Sequence, residues 1–248
     1  MMGYTDFCFR RLLRLISPKL VLWTEMVNAY ELVYKAREGD LESVRRMLRL
    51  SDPSAEPPTV LQLGGSTPEI LAEAVQLALP FGYSEINLNC GCPGSDAQKG
   101  TITEPCGAAM MKDASVVREC TTAMAKAAAS SNVPVSIKCR IGTHNTVKDM
   151  QRDGDVYETL LDFVDSVASA GHVKRFHVHA RSAVLADLGV EGNREVPPLR
   201  HDFVLRLRND RPELELTLNG GIKSLAEAQS HLDHGLDVMV GRWAIDDP

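Results

Sequence analysis

Asn87-Leu88-Asn89-Cys90-Gly91-Cys92-Pro93 reads as the end of a strand running into a turn. Asn87 and Asn89 share one face by the two-residue period of a strand, and Cys92 falls just beyond the strand tip beside a glycine and a proline. The stretch gains weight because later segments end the same way, with a polar residue at a strand tip: Lys138, His179, Asn219 and Gly241-Arg242. A ring of strand ends converging on one place is how a (β/α)8 barrel builds an active centre.

Working outward, strand-like and helix-like segments alternate along the whole chain. Strands are expected over 20–25, 60–63, 85–89, 135–140, 176–179, 215–219 and 238–241. Ser66-Thr67-Pro68-Glu69 opens a helix, with Thr67 as N-cap and proline in the first turn. Ser224-Leu225-Ala226-Glu227 has the spacing of a capping box. Residues 116–129, rich in small side chains, form the helix before the strand at 135–140. These are seven strands. Gly3-Tyr4-Thr5-Asp6 and the amphipathic run Phe7, Leu12, Leu13, Ile16 read as the loop and helix after a further strand, so an eighth is implied before Met1. The expected fold is therefore an α/β, (β/α)8 barrel missing most of its first strand and its last helix, one catalytic domain over 1–248. The proline-rich 52–58 is a loop rather than a linker.

Length and composition fit this architecture. The 248 residues, 44% hydrophobic and 24% charged, can bury a full core. No apolar run is long enough to cross a membrane, and no secretory signal opens the chain. A net charge of -6 argues against holding nucleic acid by bulk charge alone. The six cysteines, in a chain too large to need disulfides, are expected as reduced thiols in a cytoplasmic compartment, or in an organelle if a targeting peptide precedes the sequence. Cys90-x-Cys92 with a distant Cys106 lacks the paired spacing of a zinc site, so no metal is expected.

Period-two alternation sorts the strand faces. Ser136, Lys138 and Arg140 oppose Val135, Ile137 and Cys139. Glu85, Asn87 and Asn89 share a face, as do His177 and His179, and Gln62 sits between two leucines. Polar groups turned into a barrel need partners, so a polar ligand is expected at its top. Gly220-Gly221 after one strand and Gly241-Arg242 after the next fall where barrels bind phosphate. Glycines admit close backbone approach, and an arginine fork matches phosphate. Lys138 suits negative charge on a flavin ring, Gln62 can bond a flavin amide edge in both directions, and His179 can reach ring or phosphate. Flavin mononucleotide (FMN) fits this set better than a phosphosugar. The bland readings are a Lys138–Glu85 structural ion pair, a core role for His177, packing roles for Cys8, Cys90, Cys120 and Cys139, and a solvated helix face for Arg45, Arg46 and Arg49.

With these residues in hand, the chain resembles the tRNA-dihydrouridine synthases, most closely their A-type branch. The matching stretches are MMGYTD, LWTEMV, LQLGGS, EINLNCGCP, SIKCRIG, HVHARSA, GNREVPPL, LNGGIKS and MVGRWA. The resemblance implies a flavin-dependent enzyme that reduces uridine in the tRNA D-loop to 5,6-dihydrouridine, at positions 20 and 20a, with NADPH as reductant. It implies Cys92 as proton donor to C5 of the uracil. It places Gln62, Lys138, His179, Asn219, Gly220, Gly221, Gly241 and Arg242 on FMN, with the backbone of Met1 and Met2 over the ring. Asn89, Arg140 and Arg194 fall to the substrate, and tRNA is the partner of a monomeric protein. An ordinary cysteine thiol, with a pKa of about 8.5, is mostly protonated at neutral pH and suits the role. The segment 91–112 is expected to close over a base swung out of the folded RNA.

Three departures from the family's pattern stand out. Gly94 replaces the usual serine after Gly-Cys-Pro, Ser182 stands where lysine is frequent, and Glu191 stands where a basic residue is frequent. The family's C-terminal helical tRNA-binding domain is expected to be missing. The residues leave two alternatives open, a small-molecule FMN enzyme of dihydroorotate dehydrogenase type and an inactive remnant.

Overall fold

The computed structural model describes residues 1–49, 58–93 and 106–246. Seven strands form one sheet: β1 (Leu22–Asn28), β2 (Thr59–Gly64), β3 (Glu85–Cys90), β4 (Val135–Arg140), β6 (Arg175–His179), β8 (Glu215–Asn219) and β9 (Asp237–Met239), in that order. β1 pairs with β2, β2 with β3, β6 with β8 and β8 with β9, all parallel. The order follows the chain, with helices between strands, as in a TIM-barrel-like α/β fold. Two short strands, β5 (Thr143–His144) and β7 (Ala183–Val184), pair separately.

The described residues divide into two compact units, Met1–Asn89 with Glu119–Ser136, and Cys90–Arg118 with Ile137–Pro248. In the first unit the helices Ala29–Arg37 and Pro68–Ala78 follow β1 and β2. They bury Leu32, Val33, Leu71, Ala74 and Val75 completely or nearly so. The expected N-cap is displaced in function. Thr67 occupies the N-cap position without a side-chain capping bond, because its hydroxyl pairs with Tyr30 Oη at 2.7 Å instead. Asp6 does cap the helix Phe7–Ile16, accepting from Phe9 N at 2.9 Å.

In the second unit the helices Tyr157–Ala168 and His201–Asp210 supply Leu160, Phe163, Val164, Val204 and Leu207 to the core. Tyr157 and Phe203 meet edge to face, centroids 5.7 Å apart, a geometry favoured by the ring quadrupoles. The expected capping box at Ser224 is half formed. Ser224 Oγ accepts from Glu227 N at 3.2 Å, but the Glu227 carboxylate reaches Lys223 N, one residue further back.

The last strand is shorter than the sequence suggests. It ends at Met239 rather than Gly241 because its partner runs out: Asn219 faces Met239, and the chain then turns away through Gly220 and Gly221. The expected loop at 52–58 falls outside the described residues except for Pro58.

Candidate active site

The period-two faces of β2, β3 and β4 make a polar chain in the first unit. Ser136 Oγ donates to Glu85 and accepts from Asn87 Nδ2 at 2.7 Å. Gln62 Nε2 donates to Asn87 Oδ1 at 3.0 Å, and Asn89 Nδ2 donates to Gln62 Oε1 at 2.9 Å. All five side chains are buried. The buried polar face thus holds itself in one arrangement, as a low-dielectric interior requires. It brings Gln62 and Asn89 together and fixes both amide orientations. Glu85 takes the Ser136 hydroxyl. In the same unit the Met1 carbonyl accepts from Tyr4 N and Thr5 N, and Met2 is exposed. Gly3 N donates to Glu25 Oε1 at 2.5 Å, which anchors this turn to β1.

The second unit collects the charged residues. Cys92, Lys138 and His179 are half-buried, and Arg140 is 3% exposed. Lys138 and Arg140 follow alternately on β4 with Cys139 between them, pointing the other way. Burial pushes the Lys138 ammonium down to about 8, and the Arg140 and Arg194 cations push in the same direction. His179 is held well below the usual imidazole range by burial, then by Arg140, Lys138, Arg181 and Arg194. It is therefore neutral at pH 7, able to donate or accept but carrying no charge. Arg140 itself is lowered to about 10, by burial first, and stays charged at neutral pH. One thiol, a neutral imidazole and a group of cations stand within electrostatic reach of each other.

The strand ends line up beside this cluster. His179 faces Asn219 and Asn219 faces Met239 across β6, β8 and β9. Asn219 Nδ2 donates to the Met239 carbonyl at 2.9 Å, tying the two strand ends together. Gly220 and Gly221 follow with φ of +108° and +77°. A Cβ on Gly220 would sit 2.5 Å from His179 Cδ2, and one on Gly221 would strike Leu199 Cδ1. Both positions need glycine for conformation and for space. Gly241 and Arg242 lead into the short helix Trp243–Asp246, and Arg242 acts electrostatically on Arg181, lowering it further after burial.

Some contributors have roles that the sequence alone does not announce. Asn193 is fully buried, accepts from Val184 N at 2.7 Å and donates to the Val184 carbonyl at 2.8 Å, so it holds the segment that presents Arg194. Arg181 donates to the carbonyls of Glu195 and Pro197. His201 reaches the Gly220 carbonyl. Each acts through backbone carbonyls brought near by folding, and nothing in local spacing announces that. Ser182 is fully buried. Gly94 and most of the segment 91–112 expected to cover a base lie outside the described residues. Among the described residues no group of three or more His, Cys, Asp or Glu could hold a metal ion, and no helix is long and apolar enough to cross a membrane.

Comparison with known proteins gives this constellation its context. The profile of the family described as "Dihydrouridine synthase (Dus)" matches residues 1–248. The chain belongs to the dihydrouridine synthase family. It is 43% identical over all 248 residues to the tRNA-dihydrouridine(20/20a) synthase of Xylella fastidiosa (strain 9a5c), of which it covers 66%. It is 41% identical, again over its full length, to the protein of the same name from Escherichia coli (strain K12), covering 65% of it. The chain thus spans about two thirds of the length of these curated relatives. In fold it is similar to a Burkholderia cenocepacia J2315 crystal structure named as a candidate lyase/mutase, with a TM-score of 0.55 and 14% identity over 97% of this chain and 75% of that one. At that identity only the fold is shared.

Proposed function

We propose that this chain is the catalytic part of an FMN- and NADPH-dependent tRNA-dihydrouridine synthase, reducing uridine to 5,6-dihydrouridine in the D-loop, at positions 20 and 20a. The observation that carries the reading is the placement of Cys92 among Lys138, Arg140 and Arg194 with a neutral His179. A half-buried thiol in a field of retained cations suits proton delivery to a substrate that acquires negative charge.

The donor set fits FMN. A buried lysine whose ammonium is disfavoured by burial and by two arginines is stabilised when an anion is brought beside it. Lys138 and His179 would hold the ring, together with Gln62 and the backbone of Met1 and Met2. Asn219, Gly220, Gly221, Gly241 and Arg242 would hold the phosphate end, the glycines offering backbone N–H groups without side-chain obstruction. When bound and reduced by NADPH, FMN supplies hydride to C6 of the uracil.

The chain's own residues complete the reduction. Cys92 Sγ–H gives its proton to C5 of the uracil, and the thiol is restored by a proton from solvent. Asn89, held by Gln62, and Arg140 and Arg194 orient the base and its RNA.

The deciding experiment is tRNA-dependent NADPH oxidation by a full-length version and its Cys92→Ala variant. Loss of turnover by about 10²-fold or more, with flavin still bound, supports the assignment, and unchanged turnover removes it. Equal activity on free uridine would favour the small-molecule enzyme, and bound flavin that NADPH leaves oxidised would favour the inactive remnant.

A further inference from the structure

Arg140 is 3% exposed, yet among the described residues no carboxylate acts on it. Its Nε donates to the Gly91 carbonyl at 3.0 Å. Its Nη1 donates to two more carbonyls, Ser182 at 3.2 Å and Asn193 at 3.0 Å. Carbonyl dipoles solvate a guanidinium without neutralising it, so the positive charge persists inside the unit and is felt at His179 and Lys138. Two of the three acceptors share a sequence relation. Gly91 directly precedes Cys92, and Asn193 directly precedes Arg194. A peptide group is planar, so fixing the Gly91 carbonyl fixes the plane that ends at the Cys92 nitrogen. Fixing the Asn193 carbonyl does the same at Arg194.

We infer that Arg140 is a positioning residue that locks the entry to Cys92 and the entry to Arg194 onto one guanidinium. The placement of the proton-donating thiol and of the RNA-contacting arginine is then a single setting. This deepens the role given above to Arg140 and rests on the reading of Cys92 and Arg194 as functional groups. Only the rigid fork of arginine reaches three acceptors from fixed directions. Lysine keeps the charge and loses the fork.

The test is Arg140→Lys in this chain, with Arg140→Gln as a second variant should the first not fold. Iodoacetamide alkylation of Cys92 without RNA is followed by peptide mass spectrometry, with exposed Cys8 as internal reference and buried Cys120 and Cys139 as proof of an intact core. The expected result is a rise of about tenfold in the Cys92 rate, as a charge-assisted bond to its loop is lost, with the other three unchanged. An unchanged Cys92 rate overturns the clamp. In the full-length version, Arg140→Lys and Arg194→Ala are expected to be non-additive in tRNA-dependent kcat/KM, whereas additivity overturns the shared setting. A raised alkylation rate in a protein whose parent never reduces tRNA would keep the clamp and discard the functional reading.

Discussion

His201 donates from Nε2 to the carbonyl of Gly220 at 2.8 Å. A carbonyl only accepts, so the proton sits on Nε2, and in a trans peptide the Gly221 N–H then points the opposite way. His201 therefore aims one of the N–H groups assigned to the FMN phosphate. Replacing His201 with Ala is expected to weaken FMN binding by roughly 3- to 10-fold, the worth of one ordinary hydrogen bond. Gln, which offers an N–H at similar reach, should recover much of the loss. Flavin fluorescence quenching measures both, and equal affinity for Ala and wild type would dismiss the idea.

Lys138 predicts a pH dependence with a definite sign. Its folded pKa of about 8 lies below the ordinary 10.5. Between those values the unfolded chain binds more protons, so this group makes stability rise with pH across the window. FMN affinity should move the other way, falling above pH about 8 as the ammonium is lost, because an anion prefers the charged form. In Lys138→Met both trends should flatten, which urea unfolding and flavin titration at pH 7 and pH 9 would reveal.

The Ser136 hydroxyl joins Glu85 to Asn87. Ser136→Ala removes a donor and an acceptor from a buried network, and a loss of about 1–3 kcal/mol in unfolding free energy is expected. A change within a few tenths would mean the network relaxes around the gap.

Cysteine reactivity should separate cleanly. Burial pushes both Cys120 and Cys139 up to about 12, so neither offers thiolate to a disulfide reagent at pH 8. Cys8, exposed on the first helix, should react with the reagent first. Modification of Cys139 in native buffer at the rate seen in denaturant would contradict the burial of that strand face.

The strand pattern was legible because period-two alternation is a local property. Val135–Arg140 and Glu215–Asn219 lie where the sequence places them, and the split of Lys138 from Cys139 follows directly. What sequence could not reveal was competition between partners. Thr67 looks like a capping residue until Tyr30 arrives from another helix, and β9 looks longer until its neighbour stops at Asn219. Arg140 could be assigned to a motif from its position, but not seen to grip three carbonyls 42 to 53 residues away.

Glycine is not equally required wherever the backbone turns left-handed. At Gly39, Gly82 and Gly171 φ is also positive, but a side chain would meet nothing within 4 Å. Such sites accept Asn or Asp at a modest conformational cost. At Gly220 and Gly221 the space is already taken by His179 and Leu199. A saturation scan should therefore show tolerance at the first three sites and a two-column blank at the last two. Lineage drift would be expected to edit the turns freely while leaving that dipeptide untouched until His179 or Leu199 changes with it.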